Sequence, residues 1–144
     1  MVPEAKRAVV LEDDWGVRQL LELVLSTEGW ECDSGDTIDA IVGKLAGASL
    51  VILDHHLPGM TGLEVLAALR DLGVDVPVVM LTGDPVARER AELLGVRRFL
   101  LKPFDLTDLL DVLRSVAADE PLDLRELAEV VSLPAAERPW FASR

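Results

Sequence analysis

Tyrosine is absent from this chain, and cysteine occurs once, at Cys32. A lone cysteine excludes an internal disulfide, and a reducing cytoplasm is the simplest setting for it. No apolar run approaches the roughly 20 residues that span a bilayer. The N-terminal MVPEAKR has no apolar signal core. A cytoplasmic protein with no membrane partner is therefore expected. Cations are scarce as well: 14 Lys and Arg face 26 Asp and Glu, for a formal net charge of −12. Nucleic acids and anionic membranes are held by Lys/Arg patches, so no direct nucleic-acid binding is expected of this segment. Low-complexity tracts are missing too.

What is present is apolar. The chain has 144 residues, half of them hydrophobic, which suits one domain with a real core. One apolar run meets Glu12-Asp13-Asp14, and a second, Leu50 to Leu53, meets Asp54. Strands without polar alternation are buried on both faces, as in a parallel sheet. An acid after such a strand sits at its carboxyl end, where open α/β sheets bind ligands. Two acid-tipped strands side by side would gather several carboxylates, and hard oxygen donors with water suit Mg²⁺.

The alternation continues along the chain. Strand-like runs at Ala8 to Leu11, Trp30 to Ser34, Leu50 to Leu53, Val78 to Leu81 and Phe99 to Leu101 are each followed by a helical pattern. Val17, Leu20, Leu21, Val24 and Leu25 mark the first helix. The second is expected over Thr37 to Leu45. The turn Leu57-Pro58-Gly59 leads into the third, and Asp84-Pro85 starts the fourth. The fifth is expected over Leu106 to Val116. Five βα units predict a parallel sheet with helices on both faces. Residues 118–144 differ. Asp123 and Glu126 suggest a capping box before Leu124, Leu127, Ala128 and Val131 on one helical face, ahead of Trp140-Phe141.

Four motifs stand in order at the strand ends: VVLEDD, VILDHHLPGMTGLEVL, VVMLTGD and FLLKPF. In these the chain resembles the response-regulator receiver domain of two-component signalling over residues 6–117. The resemblance implies a flavodoxin-like α/β fold, (βα)5, with strand order 2-1-3-4-5, here with a C-terminal helical extension at 118–144. It implies a switch rather than an enzyme with a substrate of its own. Asp54 would accept a phosphoryl group from a sensor histidine kinase or a histidine phosphotransfer protein. Glu12, Asp13, Asp54 and the main-chain carbonyl of His56 would hold Mg²⁺, with Mn²⁺ as the alternative ion. Lys102 would pair with the carboxylate and then the phosphoryl group. Thr82 would follow the phosphoryl oxygen, and Phe99 would turn into the space it leaves. The Lys102-Pro103 peptide would be cis.

Three features depart from that pattern. His56, two residues after Asp54, stands where the family tunes phosphoryl lifetime. Arg97-Arg98 reverses the acidic character common on the face where many members form a homodimer. The segment after 118 is either an extra helix, a docking element or a linker from a larger transcriptional regulator or hybrid kinase. Two other functions fit the residues less well. A haloacid-dehalogenase-type phosphatase needs a second Asp where His56 stands, and a pseudo-receiver would lack Asp54, Asp13 or Lys102.

Overall fold

The computed structural model of the chain describes residues 6–118 and the single position 134. Its main sheet holds β1 (Lys6–Leu11), β2 (Trp30–Gly35) and β3 (Leu50–Asp54) and, after two short strands outside it, β4 (His56–Leu57) and β5 (Met60–Thr61), also β6 (Val78–Leu81) and β7 (Arg98–Leu100). All pair in parallel, in the order β2-β1-β3-β6-β7. Counting sheet strands alone, that is the expected 2-1-3-4-5. The helices are α1 (Trp15–Thr27), α2 (Ile38–Ile41), α3 (Gly62–Asp71), α4 (Pro85–Leu93) and α5 (Leu106–Ala118).

The middle of the sheet is buried on both sides because successive side chains point to opposite faces and those of Ala8 to Leu11, Leu50 to Leu53 and Val78 to Leu81 are all apolar. Ala8, Val10, Ile52, Val79 and Leu81 pack with Leu21, Val24 and Leu25 of α1 and with Leu109 and Leu113 of α5. Val9, Leu11, Val51, Leu53, Val78 and Met80 pack with Ile41 of α2, with Val65, Leu66 and Leu69 of α3, and with Ala91 of α4. Each large side chain fully buried here contributes roughly 1.5–3 kcal/mol.

Caps fix where the helices begin. Asp14 Oδ1 accepts from the Val17 N–H at 3.0 Å, as the N-cap of α1. Thr61 and Glu64 form a reciprocal capping box at α3. Asp84 Oδ1 accepts from the Val86 N–H at 2.9 Å, with Pro85 in the first turn of α4.

Several expected elements are corrected. The second helix is shorter: α2 covers Ile38–Ile41, and Val42–Lys44 wind as a 3-10 turn. β-Branched residues and Gly43 are poor helix formers, and Ile41 alone is buried there. The last strand is Arg98–Leu100 and omits Leu101, which is exposed. The Leu57-Pro58-Gly59 turn closes a small hairpin of β4 (His56–Leu57) and β5 (Met60–Thr61), with Gly59 at φ 73°. The expected extra helix and the Trp140-Phe141 tail lie outside the described residues.

Gly62 opens α3 against the back of Asp54. A Cβ there would lie 2.4 Å from the Asp54 carbonyl oxygen and 2.8 Å from His55 Cα. The Gly62 N–H also donates to the His55 carbonyl at 2.8 Å, so neither chain can easily retreat. Gly62→Ala is expected to lower the unfolding free energy by about 1–3 kcal/mol, as overpacking does. Urea denaturation checks this, and an unchanged midpoint would show that the strand end relaxes freely.

Candidate functional site

The carboxyl ends of four neighbouring strands bring together Glu12, Asp13, Asp54, Thr82 and Lys102. Strand register does the positioning. Leu11 of β1 aligns with Leu53 of β3, so Glu12 follows beside Asp54. Asp54 aligns with Leu81 of β6, and Leu81 with Leu100 of β7. The Thr82 N–H donates to the Leu100 carbonyl at 3.2 Å, which holds the chain end that leads to Lys102. The Lys102-Pro103 bond is cis, as expected.

Glu12, Asp54 and Thr82 are buried, whereas Asp13 is exposed. Lys102 Nζ lies 3.2 Å from both carboxylate oxygens of Glu12 and 3.2 Å from Asp54 Oδ2. Apart from that ammonium, buried Oδ2 has no hydrogen-bond donor beside it among the described residues. Asp54 Oδ1 accepts from the His56 N–H at 3.3 Å. Thr82 Oγ1 accepts from the Asp84 N–H at 3.0 Å, which links the pocket to the cap of α4.

Carboxylate oxygens of Glu12, Asp13 and Asp54 lie within 4.8 Å of one another. At that spacing each ionised pair repels by about 3.5 kcal/mol at an effective dielectric near 20. One ammonium against three carboxylates leaves an unneutralised, oxygen-only donor set. Such a set fits a hard divalent cation. It is the only group of three or more potential ligands of this kind among the described residues.

The same crowding shifts protons. Burial, and then the charge of Asp54, push the Glu12 carboxyl up to about 7, against the opposing pull of Lys102. Burial pulls the Lys102 ammonium down, but the carboxylates of Asp54 and Glu12 outweigh it and the net direction is up. Lys102 therefore stays charged throughout the neutral range.

The two histidines part company. His55 is buried and His56 exposed, with ring centroids 5.0 Å apart and planes at 59°. Neither joins the carboxylate cluster through its side chain. Phe99 is half-buried at the outer strand, under the Arg88 guanidinium at 4.9 Å. Arg98 donates to the Ser115 hydroxyl at 3.0 Å and to the Ser115 carbonyl at 3.3 Å, tying β7 to α5.

Two features escaped the sequence. A groove of about 510 Å³ beside the pocket is lined by Asp14, Val17, Leu20, Lys102, Pro103 and Phe104. Arg18 reaches back from α1 to donate to the Glu12 carbonyl at 2.8 Å. Its acceptor is a main-chain carbonyl, so no residue pattern signals the contact.

The family model described as the response regulator receiver domain matches residues 8–114. The transcriptional regulatory protein PmrA of Pectobacterium parmentieri is 39% identical over 108 residues, covering 72% of this chain and 48% of that protein. The chain spans about half the length of the curated relatives it matches. Among solved structures, the chemotaxis response regulator CheY4 of Vibrio cholerae matches with TM-score 0.71 and 26% identity, over 78% of this chain and 99% of that one. The response regulator TrrA of Thermotoga maritima, solved with Mg(2+)-BeF, matches with TM-score 0.67 and 28% identity, over 77% and 98%. The fold is thus the CheY-like, flavodoxin-like arrangement. Among the described residues no helix is long and apolar enough to cross a membrane.

Glu12 also predicts a pH effect. Its carboxyl titrates near 4.5 when unfolded and near 7 when folded. Between those values the native state holds more protons than the unfolded one, so stability falls as pH rises. The raised Lys102 group contributes nothing to this window, since its stabilisation is lost only at alkaline pH. Without divalent cations, the thermal midpoint is expected to fall from pH 5 to pH 8, and Glu12→Gln is expected to flatten that fall. Equal slopes in both proteins would contradict the assignment.

Proposed function

Because the chain belongs to the response regulator receiver domain family, we propose that it is a phosphorylation-controlled signalling switch whose acceptor is Asp54. The observation that carries this reading is the buried Asp54 carboxylate, gathered with the Glu12 and Asp13 carboxylates and set 3.2 Å from the Lys102 ammonium. Phosphorylation-dependent switching is the general function of the family.

Asp54 acts as the nucleophile. One of its oxygens bonds to the phosphorus of a phosphohistidine on a sensor histidine kinase or histidine phosphotransfer protein. The P–N bond breaks, its electron pair stays with the imidazole, and an aspartyl phosphate results. Glu12, Asp13, Asp54 and the His56 main-chain carbonyl would hold Mg²⁺, with Mn²⁺ the alternative. When bound, the ion supplies positive charge against the carboxylates and the incoming phosphoryl oxygens. Lys102 carries its ammonium from the carboxylates to a phosphoryl oxygen. The groove lined by Val17, Leu20, Pro103 and Phe104 shares Asp14 and Lys102 with the pocket rim, which favours a protein phosphodonor seated there.

Switching runs through Thr82. Its hydroxyl turns to the phosphoryl group and releases or strains the Asp84 N–H, loosening the cap of α4. Phe99 then packs inward. It has no hydroxyl, so burial alone records the change. The altered surface acts on a partner or an output domain.

Two experiments test this reading. Incubation with acetyl phosphate and Mg²⁺ is expected to add one phosphoryl group by intact mass, and Asp54→Ala is expected to add none. Phosphorylation surviving in Asp54→Ala would refute the site. His56→Asn is expected to change the phosphoryl half-life severalfold while leaving phosphorylation intact. An unchanged half-life would leave His56 a bystander.

A further inference from the structure

Glu12 is pinned at every polar group. Its N–H donates to the Gly35 carbonyl at the end of β2, 3.1 Å away. Its carboxylate takes the Lys102 ammonium at 3.2 Å and the Asp14 N–H at 3.3 Å. Its carbonyl takes the Arg18 guanidinium at 2.8 Å. The first three contacts belong to the sheet edge and the pocket. The fourth comes from outside, from the first turn of α1, where Arg18 is also held by its own N–H on the Asp14 carbonyl at 2.9 Å.

We propose that Arg18 is a positioning residue for the divalent-cation pocket, clamping the Glu12 carbonyl so that the carboxylates of Glu12 and Asp13 converge on Asp54. The inference rests on the Mg²⁺ pocket described above. Its logic is geometric. Glu12 and Asp13 stand on the short connection between β1 and α1, held by the strand on one side and by the Asp14 cap on the other. The Arg18 guanidinium ties the helix side back to the Glu12 main chain with a charge-assisted contact, so the connection is braced across its length. Groups that orient a metal's direct ligands commonly govern affinity by 10–100-fold, a guide of about that size.

The sign of the effect separates clamp from charge. A cation near three carboxylates opposes Mg²⁺ by repulsion alone, so deleting a purely electrostatic Arg18 would tighten Mg²⁺ binding. Deleting a clamp would weaken it.

The test is a Mg²⁺ titration of the unphosphorylated chain by calorimetry, with no phosphodonor present. Arg18→Met is expected to weaken Mg²⁺ binding about tenfold. Arg18→Gln, which keeps a shorter N–H donor without charge, is expected to weaken it less. Arg114→Met is the charge control: it removes a cation that pairs with Glu28 at 3.3 Å, joining α5 to the end of α1, and is expected to leave affinity unchanged. Affinity that is unchanged or tightened in both Arg18 variants overturns the proposal. If Arg18→Met does not fold by circular dichroism, Arg18→Gln decides alone. If the unaltered chain binds no Mg²⁺, the pocket reading falls and this inference with it; if it binds while the variants match it, only the clamp is lost.

Discussion

Everything at the functional edge depends on one ammonium group. Lys102 leaves the sheet beyond β7, the outermost strand on its side, yet its Nζ meets carboxylates carried by β3 and by the connection after β1. The order β1-β3-β6-β7 sets Glu12 and Asp54 on adjacent strand ends, within reach of that one side chain. The contact holds like charges together that would otherwise repel by several kcal/mol at an effective dielectric near 20. It also couples the two halves of the sheet at the point where chemistry is proposed.

That arrangement is a functional compromise. A core this apolar could close the edge with leucines and gain stability. Instead it buries Glu12 and Asp54 and shifts the Glu12 proton affinity upward. Replacing buried ionic groups by apolar ones is often neutral or stabilising, so their presence points to use rather than to folding. The strain is confined to the strand ends. Below them Leu11, Leu53 and Leu81 seal the core with no polar group among them.

The sequence displayed the parts with strong local signals. Unbroken apolar runs marked β1, β3 and β6, and Asp14, Thr61 and Asp84 marked helix starts through their own hydrogen bonds. Four strand-end motifs carry the pocket residues Glu12, Asp13, Asp54, Thr82 and Lys102. Long-range contacts were hidden. Nothing in the chain announces that Arg18 ends on the Glu12 carbonyl, because the acceptor is main chain and carries no residue identity. The shortness of α2 was masked by an apolar pattern whose only buried member is Ile41. β7 slipped by one residue because Leu100 and Leu101 look alike in sequence, and only packing tells them apart.

The strand order has a consequence for handling the protein in bulk. β1, β3 and β6, rich in Val, Ile and Leu, are the segments with the composition of cross-β aggregates. They occupy the three interior places of the sheet. The edges fall to β2, which carries Glu31 and Asp33, and to the three-residue β7, which begins with Arg98. Short or charged edges are poor templates for another chain's strand. Among the described residues the most adhesive segments are thus guarded by placement, in the same topology that assembles the pocket.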